Sequence, residues 1–249
     1  MIKIIIIGCN GHIGKSLFIN LSKKKNFDVY GMTSKKTFHK NQIKINYKNK
    51  DKVKNIIKDF NTVIYCASET KFEKCEKKTK KSIFLNIDLI KSIIKDLNQN
   101  QKIIYLSSFG ILSKFNKRPI YIKQKAYIEK IIMNKIINFT VLRPAKIFET
   151  LNLKKYKKFF VDQKIALINL KIINNVISKV INTNFKGIIN LASSDKISYF
   201  DLANLSGIRS VKPSYAKNEN KFYFIEKKNF VKSKKFKFAY KKIREIIQC

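Results

Sequence analysis

Tyr121 and Lys125 are the two residues of this sequence whose spacing best suits the transfer of a proton to a carbonyl oxygen. A separation of four residues places both side chains on one face of a helix, one turn apart. An ammonium group beside a phenol stabilises the tyrosinate and lowers the pKa of the tyrosine, which makes proton transfer feasible near neutral pH. The pair therefore predicts acid–base chemistry at a carbonyl group.

The same spacing also arises by chance in so lysine-rich a chain. With 11 Tyr and 50 Lys among 249 residues, a Lys is expected four residues after a Tyr about twice. It occurs twice, at Tyr121/Lys125 and at Tyr223/Lys227. The second pair lies in an alternating aromatic segment that is typical of a strand and has no other reactive group nearby. For the first pair, an amphipathic-helix tyrosine with a solvated lysine is the non-catalytic alternative.

The elements that must position the pair alternate between apolar strands and amphipathic helices. This alternation predicts an α/β fold with a doubly wound parallel sheet, a Rossmann fold. Predicted strands cover 2–8, 27–32, 61–67, 102–107, 139–144 and 187–192, and a third strand ends near Asn46. Predicted helices cover 15–25, 52–60, 77–97, 121–134, 170–182 and 199–205.

The alternation weakens after about residue 150. We therefore expect a dinucleotide-binding Rossmann domain over 1–150 and a small substrate-binding lobe over 151–249. Ligands of such sheets bind at the carboxyl ends of the strands, and the lobe is expected to fold over that edge.

A glycine-rich loop between the first strand and the first helix predicts a phosphate site. Glycine there permits a tight turn and lets a pyrophosphate approach the unpaired N–H groups of the helix N-terminus. A turn without a ligand is the alternative. The predicted cofactor-binding residues of this loop are Gly8, Asn10, Gly11, His12, Ile13 and Gly14.

The segment after the second strand bears on which dinucleotide is bound. NAD-selective sites usually carry an acidic residue there for the ribose hydroxyls. This chain has Ser34 and Lys35 instead, which suit a 2′-phosphate and favour NADP over NAD. The abundance of lysine leaves NAD open.

A net charge of +38 would ordinarily suggest a polyanionic partner. Only four of the 54 basic residues are Arg, however, and they carry the planar group that base and phosphate recognition favours. Nucleic acid is therefore not the expected partner.

The four cysteines and two histidines show no metal-ligand spacing, so no metal site is predicted. The apolar start is too short for a signal peptide or a spanning helix. We expect a cytoplasmic protein with reduced thiols.

An ordered series of motifs resembles the short-chain dehydrogenase/reductase superfamily, in particular its extended or atypical branch of NAD(P)-dependent epimerases, dehydratases and nucleotide-sugar reductases. The series spans about residues 1–150. It consists of Gly8-x-x-Gly11-x-x-Gly14, Cys66-Ala67-Ser68, Asn86, Ser107-Ser108, Tyr121-x-x-x-Lys125 with Glu129, and Leu142-Arg143-Pro144-Ala145.

The resemblance implies a role for each matching position. Ser108 would hold the substrate oxygen, Tyr121 would act as general acid/base, and Lys125 together with a cationic nicotinamide would lower the pKa of Tyr121. The further cofactor-binding residues that it implies are Asn46 near the adenine, Cys66, Ala67 and Ser68 at the ribose, Asn86 on the helix supporting the nicotinamide, Tyr121, Lys125 and Pro144. Asn46 stands where the family often has Asp.

The resemblance also narrows the reaction. The family's sugar 4,6-dehydratases carry an acidic pair after the hydroxyl residue, and this chain has Phe109 and Gly110 there. We therefore expect reduction of a keto group of a nucleotide-sugar, or epimerisation through it, by a homodimer. A non-catalytic dinucleotide-sensing or polyanion-binding module is the competing hypothesis.

Overall fold

A parallel central sheet is the main feature of the computed structural model, which describes residues 1–112, 118–156, 158–208, 211–215 and 241–247. Its strands are β1 (Ile2–Ile7), β2 (Phe27–Thr33), β3 (Gln42–Lys44), β4 (Thr62–Tyr65), β5 (Lys102–Leu106), β6 (Phe139–Pro144) and, later in the chain, β11 (Gly187–Leu191). Their order is β11-β6-β5-β4-β1-β2-β3, and β1 to β6 pair in parallel. The predicted Rossmann fold is confirmed.

This strand order reverses direction between β1 and β4. Chain connections leave to opposite sides at such a point, so a crevice opens at the carboxyl ends of the two strands. Gly8 follows β1 and Cys66 follows β4. The backbone N–H of Cys66 donates to the carbonyl of Ile7 at 2.9 Å. All four residues of the isoleucine run Ile4 to Ile7 are fully buried, as a strand covered on both faces requires.

The helices cover the sheet and carry several of the predicted site residues. They are α1 (His12–Ser22), α2 (Lys50–Ile57), α3 (Phe72–Glu76), α4 (Lys80–Ile83), α5 (Leu89–Asp96), α6 (Ile120–Lys135), α7 (Leu170–Asn182), α8 (Tyr199–Leu205) and α9 (Ile243–Ile247). A large apolar cluster joins α2, α5 and α6 to one face of the sheet.

The predicted continuous helix over 77–97 differs from the structure. Lys78 has a positive φ of 45°, which ends the preceding turn, and Thr79 caps α4 by accepting a hydrogen bond from the N–H of Ser82 at 3.2 Å. A π-helical turn, Phe84–Asp88, then joins α4 to α5. Such turns rotate the side chains that follow them and occur often at functional sites.

The chain forms two compact units. The first comprises Met1–Ser107, Pro119–Leu142 and Ile177–Ile188, and the second comprises Ser108–Arg118, Arg143–Val176 and Ile189–Cys249 as far as they are described. Short strands pair in twos within the later part of the chain: β7 (Lys146–Ile147) with β10 (Leu167–Ile168), β9 (Lys164–Ile165) with β12 (Ile197–Ser198), and β8 (Lys158–Phe160) with β13 (Lys212–Ser214). The second unit has a small apolar cluster around Phe109, Ala166 and Ala192.

The sequence also raises the questions of a second Tyr/Lys pair, of membrane-spanning segments and of metal sites. Tyr223 and Lys227 lie outside them. Within them, no helix combines the length and apolar character that crossing a bilayer needs, and no cluster of three or more His, Cys, Asp or Glu is arranged to hold a metal ion.

Candidate active site

Two positions, one in the loop after β1 and one in the first turn of α1, have room only for glycine. Gly8 has a φ of 85°, and a Cβ added to it would lie 2.7 Å from the backbone nitrogen of Ala67. A Cβ on Gly14 would overlap the carbonyl oxygen of Gly8. At Gly11 the nearest atom to such a Cβ is 3.4 Å away, so this position has room and Gly11 is exposed.

This loop leads directly into α1, whose N-terminus fits a pyrophosphate. Gly11 is the N-cap, and no side chain caps the helix. The first N–H groups of a helix have no intrahelical partner, and the helix dipole favours an anion there. His12 and Ile13, the first two residues of α1, therefore present their N–H groups beside an exposed glycine. The residues present fit the phosphates of a dinucleotide.

Three side chains fix the glycine loop to the segments around β2 and β3: Tyr47 and Gln42 from those segments, and Asn10 from the loop itself. The hydroxyl of Tyr47 donates to the carbonyl of Met32 at 2.7 Å and accepts from the N–H of Gly8 at 3.1 Å. The Asn10 amide donates to the carbonyl of Lys36 at 2.7 Å. Gln42 donates to Asn10 Oδ1 at 3.4 Å and accepts from the N–H of Phe38 at 2.7 Å, so one buried side chain ties the loop after β2 to the glycine loop.

The residues predicted for the adenosine end follow β2 and β3. Ser34 and Lys35 come directly after the last residue of β2 and are exposed, so their side chains are available to a phosphate. Asn46 is also exposed, and its Oδ1 accepts from the N–H of Lys48 at 3.1 Å. That side chain shapes the turn into α2, and its contact with adenine stays a prediction.

Asn86, at the centre of the π-helical turn, is the hub of a buried hydrogen-bond network. Its Oδ1 accepts from the Ser68 hydroxyl at 2.7 Å and from the N–H of Glu69 at 2.9 Å. Its Nδ2 donates to the Glu69 carbonyl at 3.0 Å and to Gln124 Oε1 at 2.7 Å. Since Gln124 precedes Lys125 on α6, the network ties the segment after β4 to the helix that carries Tyr121 and Lys125.

Tyr121 and Lys125 lie one turn apart on α6, as predicted, and their side chains approach each other. Lys125 is 3% exposed, and its Nζ donates to the carbonyl of Leu106, the last residue of β5, at 2.8 Å. The same nitrogen lies 4.8 Å from the ring centroid of Tyr105 and 5.7 Å from that of Tyr121. The non-catalytic interpretation of Lys125 as a solvated surface residue is therefore wrong.

Burial dominates the titration of this pair. It lowers the pKa of Lys125 to about 8, an effect that Cys66 and then Glu129 oppose. Burial also raises the pKa of Tyr121, with a further rise from Cys75. The sequence predicted a lowered pKa for Tyr121, and the protein environment alone has the opposite effect because removing the phenol from water disfavours its anion. At neutral pH the Tyr121 phenol is therefore protonated, and the Lys125 amine beside it is mostly in its protonated, charged form.

The remaining predicted residues lie at other strand ends. Cys66 and Ala67 follow β4, and burial raises the pKa of the Cys66 thiol to about 12 despite the nearby Lys125. Ser108 and Pro144 belong to the second unit. Ser108 is half-buried and its Oγ accepts from the N–H of Gly110 at 3.2 Å, while Pro144 is the buried last residue of β6.

Sequence reasoning missed Tyr47 and Tyr105, and it included Ser107 in a motif without giving it a role. Among the described residues, the buried hydroxyls of Tyr105 and Ser107 have no hydrogen-bond partner. Both belong to the strand end that receives Lys125. Residue type does not distinguish Tyr47 and Tyr105 from the nine other tyrosines of the chain. For Ser107, the signal was its position next to Ser108.

Comparison with known families gives one match. The family model described as RmlD substrate binding domain matches residues 2–205. A comparison with curated proteins gives no significant match.

Several solved structures share the fold of this chain. A dTDP-4-dehydrorhamnose reductase from Bacillus anthracis, in complex with NADP, is 19% identical with a TM-score of 0.72 over 88% of this chain and 86% of its own. A UDP-glucuronic acid 4-epimerase from Bacillus cereus, in complex with UDP-glucuronic acid and NAD, is 16% identical with a TM-score of 0.72 over 87% and 86%. MoeE5, in complex with UDP-glucose and NAD, is 12% identical with a TM-score of 0.79 over 99% and 96%. At these identities the likeness establishes the fold.

Proposed function

This chain belongs to the RmlD substrate binding domain family, within the extended branch of the short-chain dehydrogenase/reductases, and on that premise we propose that it reduces a keto group of a nucleotide-sugar with NADPH. The observation that carries the proposal is the buried Lys125, which lies over the Tyr121 ring while bound to the end of β5. Burying an ammonium group is costly. The position of Lys125 beside Tyr121 therefore supports a catalytic role for it.

The cofactor site consists of residues at the carboxyl ends of β1, β2 and β4. The N-terminus of α1 would bind the pyrophosphate, Ser34 and Lys35 the 2′-phosphate, and the segment after β4 the ribose. The dinucleotide supplies the hydride equivalent when it is bound. The division into a Rossmann domain over 1–150 and a substrate lobe over 151–249 belongs to this proposal.

The chain's own residues would manage the proton. Tyr121 donates its phenolic proton to the carbonyl oxygen of the substrate, and Lys125 stabilises the negative charge that remains on the phenol. The Leu106 carbonyl holds the ammonium group in place. Ser108 would donate a hydrogen bond to the same substrate oxygen.

The protonation state of Tyr121 favours reduction over epimerisation. Reduction begins with a protonated phenol, whereas epimerisation begins with the removal of a proton from a sugar hydroxyl. Burial raises the pKa of Tyr121, so the protein environment favours the acid form. The likeness to 4-epimerases supports epimerisation as the second candidate.

A cofactor titration followed by a substrate panel tests the proposal. We expect the purified protein to bind NADPH more tightly than NADH and to oxidise NADPH in the presence of dTDP-4-dehydrorhamnose. UDP-glucose and UDP-glucuronic acid, assayed for 4-epimers without net cofactor change, test the second candidate.

Tyr121→Phe is the decisive variant. It should bind NADPH as the parent does and lose turnover by a factor of about 10² to 10⁴, the usual contribution of a general acid. Unchanged turnover would overturn the assignment of Tyr121. Tight, steeply salt-dependent binding of nucleic acid without cofactor affinity would instead favour the polyanion-binding module. A homodimer and a cytoplasmic location stay predictions.

A further inference from the structure

Tyr121 lies in the least stable part of α6, because it is the second residue of that helix. The first turn of a helix lacks intrahelical partners for its N–H groups and frays most readily. The N-cap of α6 is Pro119, and it has no side-chain cap. Without another partner, the turn that carries the phenol would be poorly fixed.

Glu76, the last residue of α3, supplies that partner from another helix. Its Oε1 accepts a hydrogen bond from the N–H of Ile120 at 2.7 Å. Ile120 is the first residue of α6, so the carboxylate acts as the missing cap. A carboxylate at this end also interacts favourably with the helix dipole, and a charge-assisted bond is stronger than a neutral one.

Phe72, the first residue of α3, contacts the phenol itself. The rings of Phe72 and Tyr121 lie 5.6 Å apart between centroids, at an angle of 41°. Phe72 is 40% exposed, so burial in a core does not account for its position. The two ends of one five-residue helix thus hold the backbone of Ile120 and the ring of Tyr121, the first two residues of α6.

The helix α3 is itself anchored to the Asn86 network. The buried Cys75 thiol donates to the Glu69 carbonyl at 3.4 Å, and Asn86 Nδ2 lies 3.7 Å from the same sulfur. Asn86 also binds Gln124 on α6. The short helix and α6 therefore share one buried polar anchor, which gives α3 a fixed place from which to hold Tyr121.

We propose that Glu76 and Phe72 are positioning residues for Tyr121: Glu76 fixes the first turn of α6 through the N–H of Ile120, and Phe72 fixes the orientation of the phenol ring. This inference rests on the proposed function in so far as it concerns catalysis. The hydrogen bond and the ring contact make a separate, structural claim about the order of the first turn.

Backbone hydrogen exchange and steady-state kinetics test both claims on the full chain. In Glu76→Ala, exchange over residues 120–123 should accelerate by about tenfold, the effect of losing one capping interaction. The kcat for reduction of dTDP-4-dehydrorhamnose should fall by a similar factor, while KM and the Kd for NADPH stay within about twofold. Glu76→Gln keeps an acceptor oxygen and should recover most of both losses.

Glu73→Ala is the matched control. Glu73 lies on the same short helix and is exposed, and its carboxylate pairs with Lys77, four residues later, at 3.1 Å. It should leave exchange and kcat unchanged. Phe72→Ala should lower kcat without accelerating exchange at Ile120, because it removes the ring contact and keeps the cap.

The outcomes separate this inference from the proposed function. Parental exchange and kcat in Glu76→Ala, in a protein whose Tyr121→Phe variant is inactive, would overturn the positioning role alone. Accelerated exchange in Glu76→Ala together with full activity of Tyr121→Phe would support the cap and overturn the catalytic assignment. Equal losses in Glu76→Gln and Glu76→Ala would show that the hydrogen bond is not what matters and would overturn the inference.

Discussion

The ammonium nitrogen of Lys125 lies 5.7 Å from the ring centroid of Tyr121 and is withdrawn from water. Burial lowers the pKa of Lys125 to about 8 and raises that of Tyr121. Each group alone is therefore driven towards its neutral form. A negative charge that develops on the phenol during proton donation would meet a nearby ammonium group in a low-dielectric site, where their attraction is large.

The rate of reduction should depend on pH through Lys125. Its pKa of about 8 means that the ammonium charge is lost as the pH rises through 8, and with it the stabilisation of the phenolate. One and a half units above its pKa, Lys125 is charged in only about one protein molecule in thirty. Because part of the rate survives without that charge, we expect kcat to fall by about tenfold between pH 8 and pH 9.5. Single-turnover rates across this range measure it. Lys125→Arg, which stays charged, should have a flat profile even if its rate is low, and an unchanged slope in that variant would contradict the assignment.

Lys125 should lower stability at neutral pH, and the penalty should disappear in alkali. The folded protein holds this group at a pKa of about 8, below its usual 10.5, so the unfolded chain binds more protons between these values. Stability attributable to Lys125 therefore rises with pH across that window, by about 3 kcal/mol in all. Urea unfolding of the parent and Lys125→Met at pH 7 and pH 10 gives the difference, in which other lysines cancel. The inactive Met variant should have its greatest relative stability at pH 7, and a difference that does not change with pH would exclude the buried-charge explanation.

The glycine loop offers a matched pair of substitutions. Gly8→Ala places a Cβ 2.7 Å from the backbone of Ala67 at a positive φ, so we expect a loss of about 2 kcal/mol or more in unfolding free energy. Gly11→Ala meets only a 3.4 Å contact at an ordinary φ and should change stability by less than about 1 kcal/mol. Because Gly11 is exposed and caps the helix N-terminus proposed to bind the pyrophosphate, the Kd for NADPH should rise. Urea unfolding and cofactor titration separate the two effects, and normal cofactor affinity in Gly11→Ala would argue against a pyrophosphate there.

The exposed residues after β2 should set the choice of dinucleotide. Lys35→Ala removes a cation, and Ser34→Asp adds an anion where a 2′-phosphate is proposed. Together they should weaken NADPH binding by about 10- to 100-fold, as the loss of one charged hydrogen bond predicts, and leave NADH binding nearly unchanged. Lys40→Ala, a second exposed lysine of the same segment, is the control for general loss of positive charge. Equal losses for both cofactors would show that these residues do not discriminate between them.

Much of the fold is predictable because its signals are local. The strand from Ile2 to Ile7 follows from a short segment that is β-branched except at Lys3, and β6 and α7 have the predicted bounds. The helix before β5 does not follow from periodicity. Its amphipathic pattern continues through Lys78 and gives no sign of the positive φ there or of the π-helical turn beyond it, which places Asn86 against Gln124 of α6.

The candidate site, like the fold, is predictable from the sequence only in part. Residue type and address predict the glycine loop and the Tyr121/Lys125 pair, because sequence spacing fixes a shared helix face. The supporting residues Tyr47, Glu76 and Phe72 act across 39, 44 and 49 residues of chain, distances at which a tyrosine, a glutamate or a phenylalanine carries no recognisable pattern. Their roles appear only once the strands bring those segments together.

Asn86 should be the least replaceable polar residue of the network. Asn86→Asp keeps the oxygen that binds Ser68 and Glu69 and replaces the donor nitrogen with a second oxygen, which would face the Glu69 carbonyl and Gln124 Oε1. We expect a loss of about 2 to 4 kcal/mol in unfolding free energy at pH 8, because two buried acceptors lose their donor and a charge is added. The new carboxyl should have a raised pKa in the folded state, so the folded protein binds the extra proton and the loss should shrink as the pH falls towards 5. Urea unfolding at pH 5 and pH 8 measures this, with Asn86→Ala as the uncharged control whose loss should not vary with pH. A penalty in Asn86→Asp that is equal at both pH values would show that the two acceptors do not face the new carboxylate and that the amide is not the link between the segment after β4 and α6.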